Sequence, residues 1–459
     1  MTLLAINWPQ VGLQAGYLIF SLSILVILHE FGHYITAKWF KCRVEKFYLF
    51  FDPWFSLLKK KIGETEYGIG WLPLGGYVKI SGMVDESMDK EQLKQPPKPW
   101  EFRSKPAWQR LIIMLGGVTM NVLLAFFIYA MILYKWGDTK LPIANVKDGI
   151  WITDSLMYDL GLKNGDKILA VNGEQINYFN DVPAKIILGK QITISRDGKE
   201  QTITLPQNMI ERLVEKKGKR STLLMPRIPI IIGAFDDKYS ANAKREGLRV
   251  FDKIVAFDSV PALFFDEMAP IINQKKGDSV TLAIIRDQKP VQTRVLVDTA
   301  GKIGFYVMNE DQADSLGILK QETKNYGFLA SFPAGVSMTF KQLDFYIQQF
   351  KMILNPKTGA YKGLGGFKTM ASIFPNTGWN WEAFWKITAF FSIILAFMNL
   401  LPIPALDGGH VLFTLIEMVS GRKPSDKFLE YAQIAGMVVL FALMLFANGN
   451  DWFGWGKGR

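Results

Sequence analysis

The stretch "SILVILHEFGHYI", residues 23–35, decides how the rest of the sequence is interpreted. Five apolar residues, Ile24 to Leu28, lead directly into His29, Glu30 and His33. They belong to an apolar segment at residues 11–37, which is long enough to cross a hydrocarbon core of about 30 Å as a helix. Ionisable side chains inside such a helix are costly unless they have a function or a partner.

His29 and His33 are four residues apart, so a helix places both imidazoles on one face. This H-E-x-x-H arrangement is typical of sites in which two histidines hold zinc and the glutamate activates water. A bound cation also offsets the cost of placing these groups in a membrane helix. We expect His29 and His33 to be metal ligands and Glu30 to be the catalytic base. The alternative is a polar cluster that faces a water-filled gap without metal.

Three further apolar segments, at residues 111–134, 381–401 and 431–447, predict a polytopic α-helical membrane protein with four transmembrane helices. Lys and Arg are concentrated in the loops at residues 38–110 and 422–427, which we expect to be cytoplasmic. The N-terminus, the long insert at 135–380 and the C-terminus then lie on the other side. Residues 1–10 carry no Lys or Arg before the first apolar run, so we expect that span to be retained.

The chain has 459 residues and a formal net charge of +11. The basic excess lies largely beside apolar segments, which indicates anionic lipid and membrane topology rather than nucleic acid. Cys42 is the single cysteine, which excludes an internal disulfide. Only three histidines occur, too few for the several His-rich boxes of a membrane di-iron oxygenase.

The segment "NLLPIPALDGGH", residues 399–410, is the candidate source of a third metal ligand. Pro402 and Pro404 cannot continue a regular helix, and irregular backbone at membrane depth is tolerated where it lines protein or a cavity. Asp407 is expected at the cytoplasmic side, at the same depth as His29 and His33. His410 is a competing ligand, with a role beside the ligands as the alternative.

The insert contains a repeat at an offset of 86 residues. "GLKNGDKILAVNG" begins at Gly161 and "GLRVFDKIVAFDS" begins at Gly247. Each copy predicts a turn, a short strand and another turn. The pattern resembles the signature of PDZ domains, more closely in the first copy, and PDZ domains bind extended peptides at a sheet edge. The alternative is two small β domains that act only as spacers.

Taken together, the H-E-x-x-H motif, the "NLLPIPALDGGH" segment and the PDZ-like repeat resemble the site-2 proteases, which are intramembrane zinc metalloproteases. The resemblance covers nearly the whole chain. It implies that His29, His33 and Asp407 hold one zinc per chain, that Glu30 is the base and that Asn399 contacts the substrate or transition state.

The segment "EYGIGWLPLGGYVKISG", residues 66–82, resembles the membrane-associated β-hairpin of the same family. Strand-forming residues are interrupted by four glycines, Gly68, Gly70, Gly75 and Gly76, which permit close backbone approach. A free edge strand near the metal could pair with an unwound substrate. We therefore expect these glycines to be substrate-binding; an ordinary cytoplasmic hairpin is the alternative.

The resemblance implies an endopeptidase of the bacterial cytoplasmic (inner) membrane, active in regulated intramembrane proteolysis and stress response. Its partners would be the lipid bilayer and single-pass membrane proteins, such as anti-sigma factors and remnant signal peptides, with candidate peptide binding by the PDZ-like domains. The PDZ-like domains would be periplasmic and the active site would face the cytoplasm. The alternative from another class is a membrane-tethered PDZ scaffold with an inactive metal site.

The predicted organisation has eight parts. They are a first transmembrane helix at 1–38, a cytoplasmic segment with the hairpin at 39–108, a second transmembrane helix at 109–135, PDZ-like domains at 136–224 and 225–320, an amphipathic surface helix and linker at 321–378, a third transmembrane region at 379–420 and a fourth transmembrane helix at 429–450.

Overall fold

The computed structural model describes residues 7–73, 75–83, 96–215, 222–236 and 240–456. The chain divides into two units, of which one is Met1–Gly137 with Asn325–Arg459 and the other is the insert Asp138–Lys324. Five stretches of the predicted domains lie outside the described residues. They are 1–6 in the first transmembrane helix, 74 and 84–95 in the cytoplasmic segment, and 216–221 and 237–239 in the PDZ-like domains.

The helices are, in chain order, α1 (Trp8–Trp39), α2 (Ala107–Lys135), α3 (Ser155–Asp159), α4 (Val182–Leu188), α5 (Met209–Glu215), α6 (Ser240–Arg245), α7 (Phe265–Gln274), α8 (Glu310–Ser315), α9 (Phe328–Leu354), α10 (Phe367–Ala371), α11 (Trp381–Leu400), α12 (Asp407–Ser420) and α13 (Asp426–Phe453). Short 3-10 turns occur at Phe102–Ser104, Ile143–Asn145, Phe179–Asp181, Pro356–Thr358 and Ala360–Gly363.

The strands are β1 (Val44–Leu49), β2 (Phe51–Ile62), β3 (Thr65–Leu72), β4 (Tyr77–Ile80), β5 (Asp138–Lys140), β6 (Ile150–Ile152), β7 (Lys167–Val171), β8 (Glu174–Gln175), β9 (Gln191–Arg196), β10 (Lys199–Thr204), β11 (Leu224–Pro226), β12 (Ile232–Phe235), β13 (Lys253–Phe257), β14 (Val260–Pro261), β15 (Ser279–Arg286), β16 (Lys289–Leu296), β17 (Phe305–Val307) and β18 (Glu322–Lys324).

Four described helices, α1, α2, α11 and α13, are long and apolar enough to cross a membrane. They coincide with the four predicted apolar segments, so the prediction of four membrane helices is confirmed. Polar caps mark where three of them begin, because unpaired N–H groups at a helix start need acceptors. The Asn7 side chain accepts from Gln10 N at 3.3 Å at the start of α1. The Asn380 side chain accepts from Ala383 N at 2.9 Å, and Ser425 accepts from Phe428 N at 3.3 Å.

Close packing of α1, α2 and α11 positions the residues of interest. Gly32 of α1 and Gly116 of α2 approach so closely that a Cβ on either residue would collide with the backbone of the other. Buried polar contacts join α11 to these two helices. Ser392 donates to the Asn121 carbonyl at 2.7 Å, and Thr388 donates to Ser21 at 2.9 Å. Such bonds satisfy polar groups that would be costly if left unpaired inside a membrane helix.

The sheet of the first unit corrects the predicted hairpin. Its strand order is β2-β3-β1-β4, in which β1 pairs parallel to β3 and antiparallel to β4. Residues 66–82 therefore do not form a hairpin, because β1 lies between the two strands. Pro73 and Gly75 lie in the connection that passes the end of β1, and proline cannot donate to a sheet ladder. The true hairpin is β2–β3, which turns at Gly63.

The segment predicted as an amphipathic surface helix forms α9, which packs along α2 and contacts α11. Gly335 of α9 lies against the α2 backbone, and its lack of a side chain allows the two helices to approach closely. A Cβ on Gly335 would lie only 2.6 Å from Ala130 N. Tyr346 meets Phe397 of α11 edge to face, with ring centroids 5.5 Å apart. Its predicted location on the bilayer surface stays a prediction.

The insert contains two copies of one β arrangement. The four-stranded sheets have the orders β10-β9-β7-β8 and β14-β13-β15-β16, with additional pairs β6–β11, β12–β17 and β5–β18. The repeated sequence motif forms β7 and β13, which are offset by 86 residues as expected. The apolar residues of each sheet face a buried core, which contains Ile168 and Ile194 in the first copy and Ile254 and Leu282 in the second.

The two copies also share one polar network. Asp166 accepts two hydrogen bonds from Arg196, both at 2.7 Å, and Asp252 accepts two from Arg286 at 2.7 and 2.6 Å. Each arginine also donates to the carbonyl of the glycine that begins its motif. Bidentate pairs of this kind are geometrically specific. The network supports the internal duplication, while the likeness to PDZ domains stays a prediction.

Candidate metal centre and catalytic site

Three ligand atoms from α1 and α12 converge in the first unit. His29 Nε2 and His33 Nε2 each lie 3.2 Å from Asp407 Oδ2, and the two nitrogens are 3.3 Å apart. Both histidines are buried. The helical spacing of the histidines brings their rings together, and Asp407 joins them as the first residue of α12. The predicted convergence of these three residues is therefore present in the structure.

The hydrogen bonds around the rings indicate that the cluster fits a cation. His33 Nδ1 lies 2.8 Å from the Ile113 carbonyl, which can only accept, so Nδ1 carries the proton and Nε2 presents a lone pair. Asp407 Oδ2 is buried and has no hydrogen-bond donor among the described residues. Lone pairs that face one another at this distance repel, and a cation between them removes the conflict.

The spacing is compatible with zinc. With zinc–ligand bonds of about 2.0–2.1 Å, two ligand atoms on a tetrahedral ion lie about 3.3–3.4 Å apart. The three observed separations are 3.2, 3.2 and 3.3 Å. A set of three protein ligands is typical of catalytic zinc sites, which keep a further position for water or substrate.

Asn121 of α2 orients His29 and was not predicted from the sequence. Its side-chain amide lies 3.0 Å from His29 Nδ1, and its Oδ1 has no hydrogen-bond partner in the described part of the chain. Rotation of the amide by 180° exchanges its oxygen and nitrogen. The oxygen then accepts from a protonated Nδ1, and Nε2 is left free for a metal. A polar residue inside an apolar span was the signal that could have identified it.

Gly117, one residue after Gly116, makes room for both imidazoles. A Cβ on Gly117 would lie 2.6 Å from His29 Cε1 and 2.7 Å from His29 Nε2, and it would also collide with His33 Nε2. The second helix thus supplies both an opening and an orienting group. The motif "GGVTMN" at residues 116–121 carries this information, although the sequence alone does not show which face meets α1.

Glu30 lies beside the cluster, between α1 and the edge strand β4. The backbone N–H of Val78 in β4 interacts with the Glu30 carboxylate. Gly76 lies next to it, since a Cβ at that position would be 3.6 Å from Glu30 Cγ. Glu30 is therefore close to the ligand set and to β4, which is an edge strand of the sheet in the described part of the chain. A carboxylate in this position can exchange a proton with water or substrate in the same cavity.

The segment at residues 399–410 contributes two more predicted residues, Asn399 and His410. They lie in different positions relative to the three ligand atoms. Asn399 Nδ2 lies 3.3 Å from His29 Nε2, so this amide borders the predicted metal position. His410 lines the same cavity, but the convergent ligand set consists of His29, His33 and Asp407. The geometry favours Asp407 over His410 as the third ligand.

The four glycines of residues 66–82 fall into two pairs. Gly75 and Gly76 line the cavity beside Glu30. A Cβ on Gly68 would collide with the Tyr48 ring, and one on Gly70 would collide with the Phe51 carbonyl. Gly68 and Gly70 therefore allow close packing within the sheet. Substrate contact by any of the four glycines stays a prediction.

The cluster opens into a cavity of about 610 Å³ within the first unit. Its walls come from α1, the start of β2, β4, α2, α10, α11, α12 and α13. Most of the lining is apolar, and its polar groups are concentrated at the cluster, where they include Glu30, Asn399 and Asp407. This combination is typical of a ligand site, in which apolar walls bind and a few polar groups orient or react.

Comparison with known proteins identifies the family. "Peptidase family M50" matches residues 17–443 of the chain. The chain belongs to peptidase family M50. The predicted resemblance to site-2 proteases is thereby confirmed, and the chain is a metalloprotease with membrane-spanning helices rather than a scaffold.

Full-length relatives agree with this assignment. The regulator of sigma-E protease RseP of Escherichia coli is 26% identical, over 94% of this chain and 97% of the relative. A protein named "Putative zinc metalloprotease Cj1068" of Campylobacter jejuni is 27% identical, over 98% and 95%. A Thermotoga maritima protein named "Putative zinc metalloprotease" is 25% identical, over 95% and 98%. The names of these relatives imply zinc as the metal of the M50 site.

Proposed function

We propose that this M50 protease is an intramembrane endopeptidase that cleaves single-pass membrane proteins within or near their membrane segments. The observation that carries the proposal is the convergence of His29, His33 and Asp407 beside Glu30, at the wall of an apolar cavity between membrane helices. Hydrolytic groups in such a cavity can act on a peptide bond that lies in or near the bilayer.

His29, His33 and Asp407 would hold one zinc ion. Zinc, when bound, supplies Lewis acidity that polarises a scissile carbonyl and lowers the pKa of water. Two neutral imidazoles and the Asp407 carboxylate, with Glu30 nearby, present two negative charges that a divalent cation balances. Asn121 and the Ile113 carbonyl would keep both rings in the required tautomer.

Glu30 would be the general base and then the general acid. As a carboxylate it accepts a proton from the attacking water, and it returns that proton to the leaving nitrogen when the C–N bond breaks. The Val78 N–H of β4 interacts with the Glu30 carboxylate, so this carboxylate would lie beside a chain bound at that strand. The Asn399 amide would donate to the developing oxyanion.

The edge strand β4 would bind the substrate in extended form. β4 is an edge strand of the described sheet and lines the cavity, so one more strand could pair with it there. Peptide hydrolysis requires this geometry, because a helical backbone shields its carbonyls. A transmembrane segment would therefore unwind locally before it is cut.

The distribution of Lys and Arg supports the proposed orientation. The loops at residues 38–110 and 422–427 would be cytoplasmic, and the insert would be periplasmic. The active site would then lie toward the cytoplasmic side of a bacterial inner membrane. The two β domains of the insert would restrict access by substrates that retain a bulky outer domain, with candidate peptide binding at a sheet edge. Resemblance suggests anti-sigma factors and remnant signal peptides as substrates.

The test is cleavage of a single-pass model substrate by purified protein in detergent, with zinc measured on each variant. We expect Glu30→Gln to retain zinc and to lose about 10²–10⁴-fold in cleavage rate, because only the base is removed. Glu64→Gln, in the exposed β2–β3 turn, is the matched control and should retain both properties. Wild-type cleavage rates in Glu30→Gln would refute the assigned role.

A further inference from the structure

The corner between β1 and β2 has an unusual backbone. Phe50 adopts φ +68°, in the left-handed region that bulky residues rarely occupy. Immediately afterwards the β2–β3 pairing is irregular, with register shifts between Phe51 and Leu58. Strained conformations of this kind persist where the surrounding structure holds them, and they occur often at functional sites.

Side-chain contacts show what holds the corner. The rings of Phe51 and Tyr77 are stacked, with centroids 6.2 Å apart and planes 8° from parallel. The Tyr77 hydroxyl donates to Asp52 Oδ1 at 2.9 Å, and Ser56 donates to Asp52 Oδ2 at 3.0 Å. Burial, with Asp52 beside it, raises the pKa of Tyr77, so the phenol keeps its proton and remains a donor. The corner is thus bonded across the sheet to β4.

The same corner borders the catalytic cavity. Phe50 and Phe51 line the cavity together with Glu30 and Asn399. The Phe51 ring also leaves no space at Gly75, where an added Cβ would lie 2.8 Å from Phe51 Cε2. The region next to the start of β4 is therefore filled by aromatic rings, and a methyl group on Gly75 would already collide there.

We propose that Phe51 is a specificity-determining residue, which restricts one substrate position beside the scissile bond to small side chains. A strand added at β4 would direct alternate side chains toward the cavity. One of them would meet Phe51. Asp52 is the positioning residue of this wall, because it holds Tyr77 and through it the start of β4. The inference rests on the proposed endopeptidase function and names its substrate class.

The test combines an enlarged substrate with an enlarged cavity. A single-pass substrate is prepared with Ala or Phe at each position flanking the cleaved bond, and kcat/KM is measured with wild type and Phe51→Ala. At one position we expect wild type to favour Ala over Phe by about tenfold or more, and Phe51→Ala to bring the ratio within about threefold of unity. Phe51→Leu should give an intermediate ratio.

Phe55→Ala is the matched control. Phe55 lies in β2, is 57% exposed and stacks on Trp71, outside the cavity lining. It should keep the wild-type ratio. Asp52→Asn retains an oxygen that can accept from Tyr77, so it should preserve selectivity, whereas Asp52→Ala should relax it. A purely structural role for Asp52 would lower activity on all substrates equally, without changing the ratio.

The outcomes separate this inference from the proposed function. If wild type cuts but Phe51→Ala, with normal zinc content, shows an unchanged Ala-to-Phe ratio at every position, the specificity role is wrong and the endopeptidase stands. If Phe51→Ala does not fold but Phe51→Leu does, the same conclusion follows from a wild-type Ala-to-Phe ratio of kcat/KM in Phe51→Leu. If wild type cuts none of the substrates, the proposed function fails and this inference fails with it.

Discussion

Substitution of Gly117 by alanine tests the metal centre from a helix that contributes no ligand. A Cβ on Gly117 would lie 2.7 Å from His29 Nε2. Ordinary heavy-atom contacts begin at about 3.5 Å, so the ring would have to retreat by about 0.8 Å. Zinc sites tolerate changes in ligand distance of only about 0.2 Å. We therefore expect Gly117→Ala to weaken zinc binding at least as much as loss of an orienting residue, about 10–100-fold.

The assay is a competition titration of purified protein with a chelator of known zinc affinity, followed by cleavage of the model substrate. Gly16→Ala is the matched control, since a Cβ on Gly16 of α1 would meet no atom within 4 Å. Alanine is favoured over glycine in a helix interior by about 0.8–1.0 kcal/mol, so helix propensity cannot account for a loss in Gly117→Ala. Wild-type zinc affinity together with wild-type cleavage in Gly117→Ala would refute the reasoning.

Three other predictions follow from the geometry. Asn121→Ala should reduce zinc affinity about 10–100-fold, because the tautomer of His29 is no longer fixed; chelator competition measures this, and an unchanged affinity contradicts it. Arg286→Ala removes the ion-pair partner of the buried Asp252 carboxylate and should lower the free energy of unfolding of the second β domain by about 3–5 kcal/mol. The measurement is hydrogen exchange, which should become faster in β13 and β15 but not in the first domain. Arg196→Ala should affect the first domain in the corresponding way. Burial raises the pKa of the Cys42 thiol, which lowers its thiolate population. Alkylation of Cys42, monitored by mass spectrometry, should therefore be slow in the native protein and rapid after denaturation. Fast alkylation of the native protein would contradict this prediction, because it would show that Cys42 is accessible.

Much of the site could be predicted because its chemistry is local in sequence. The four-residue spacing of His29 and His33 determines their common face on a helix, and prolines mark the break before Asp407. The fold then brings these two segments into contact. The repeat was likewise visible as identical residues at a fixed offset of 86 positions, and each copy forms the corresponding strand, β7 or β13.

The contributions of α2 could not be predicted in the same way. Gly117 and Asn121 matter only because α2 crosses α1 at Gly32, and the sequence of one span does not specify which neighbour it meets. Packing of this kind depends on shape across the interface rather than on periodicity.

The prediction of a hairpin at residues 66–82 was wrong for a related reason. Two strand-like segments separated by a glycine-rich turn usually pair with each other, and this local pattern favoured a hairpin. Strand β1 precedes both of them in sequence and lies between them in the sheet. Only long-range pairing decides that order, which leaves β2 and β4 as the two edge strands of the described sheet. Of these two, β4 is the edge strand next to Glu30.

The proposed metal ligands lie near opposite ends of the chain, and this bears on when the enzyme can first act. Asp407 follows His33 by 374 residues. At a ribosomal rate of about 5–20 residues per second, roughly 20–75 s separate the synthesis of the first two ligands from that of the third. During that interval the nascent chain lacks one of the three proposed ligands. On the proposed ligand set, the chain is therefore inert until Asp407 has been made, and a product terminated before Asp407 would stay inert.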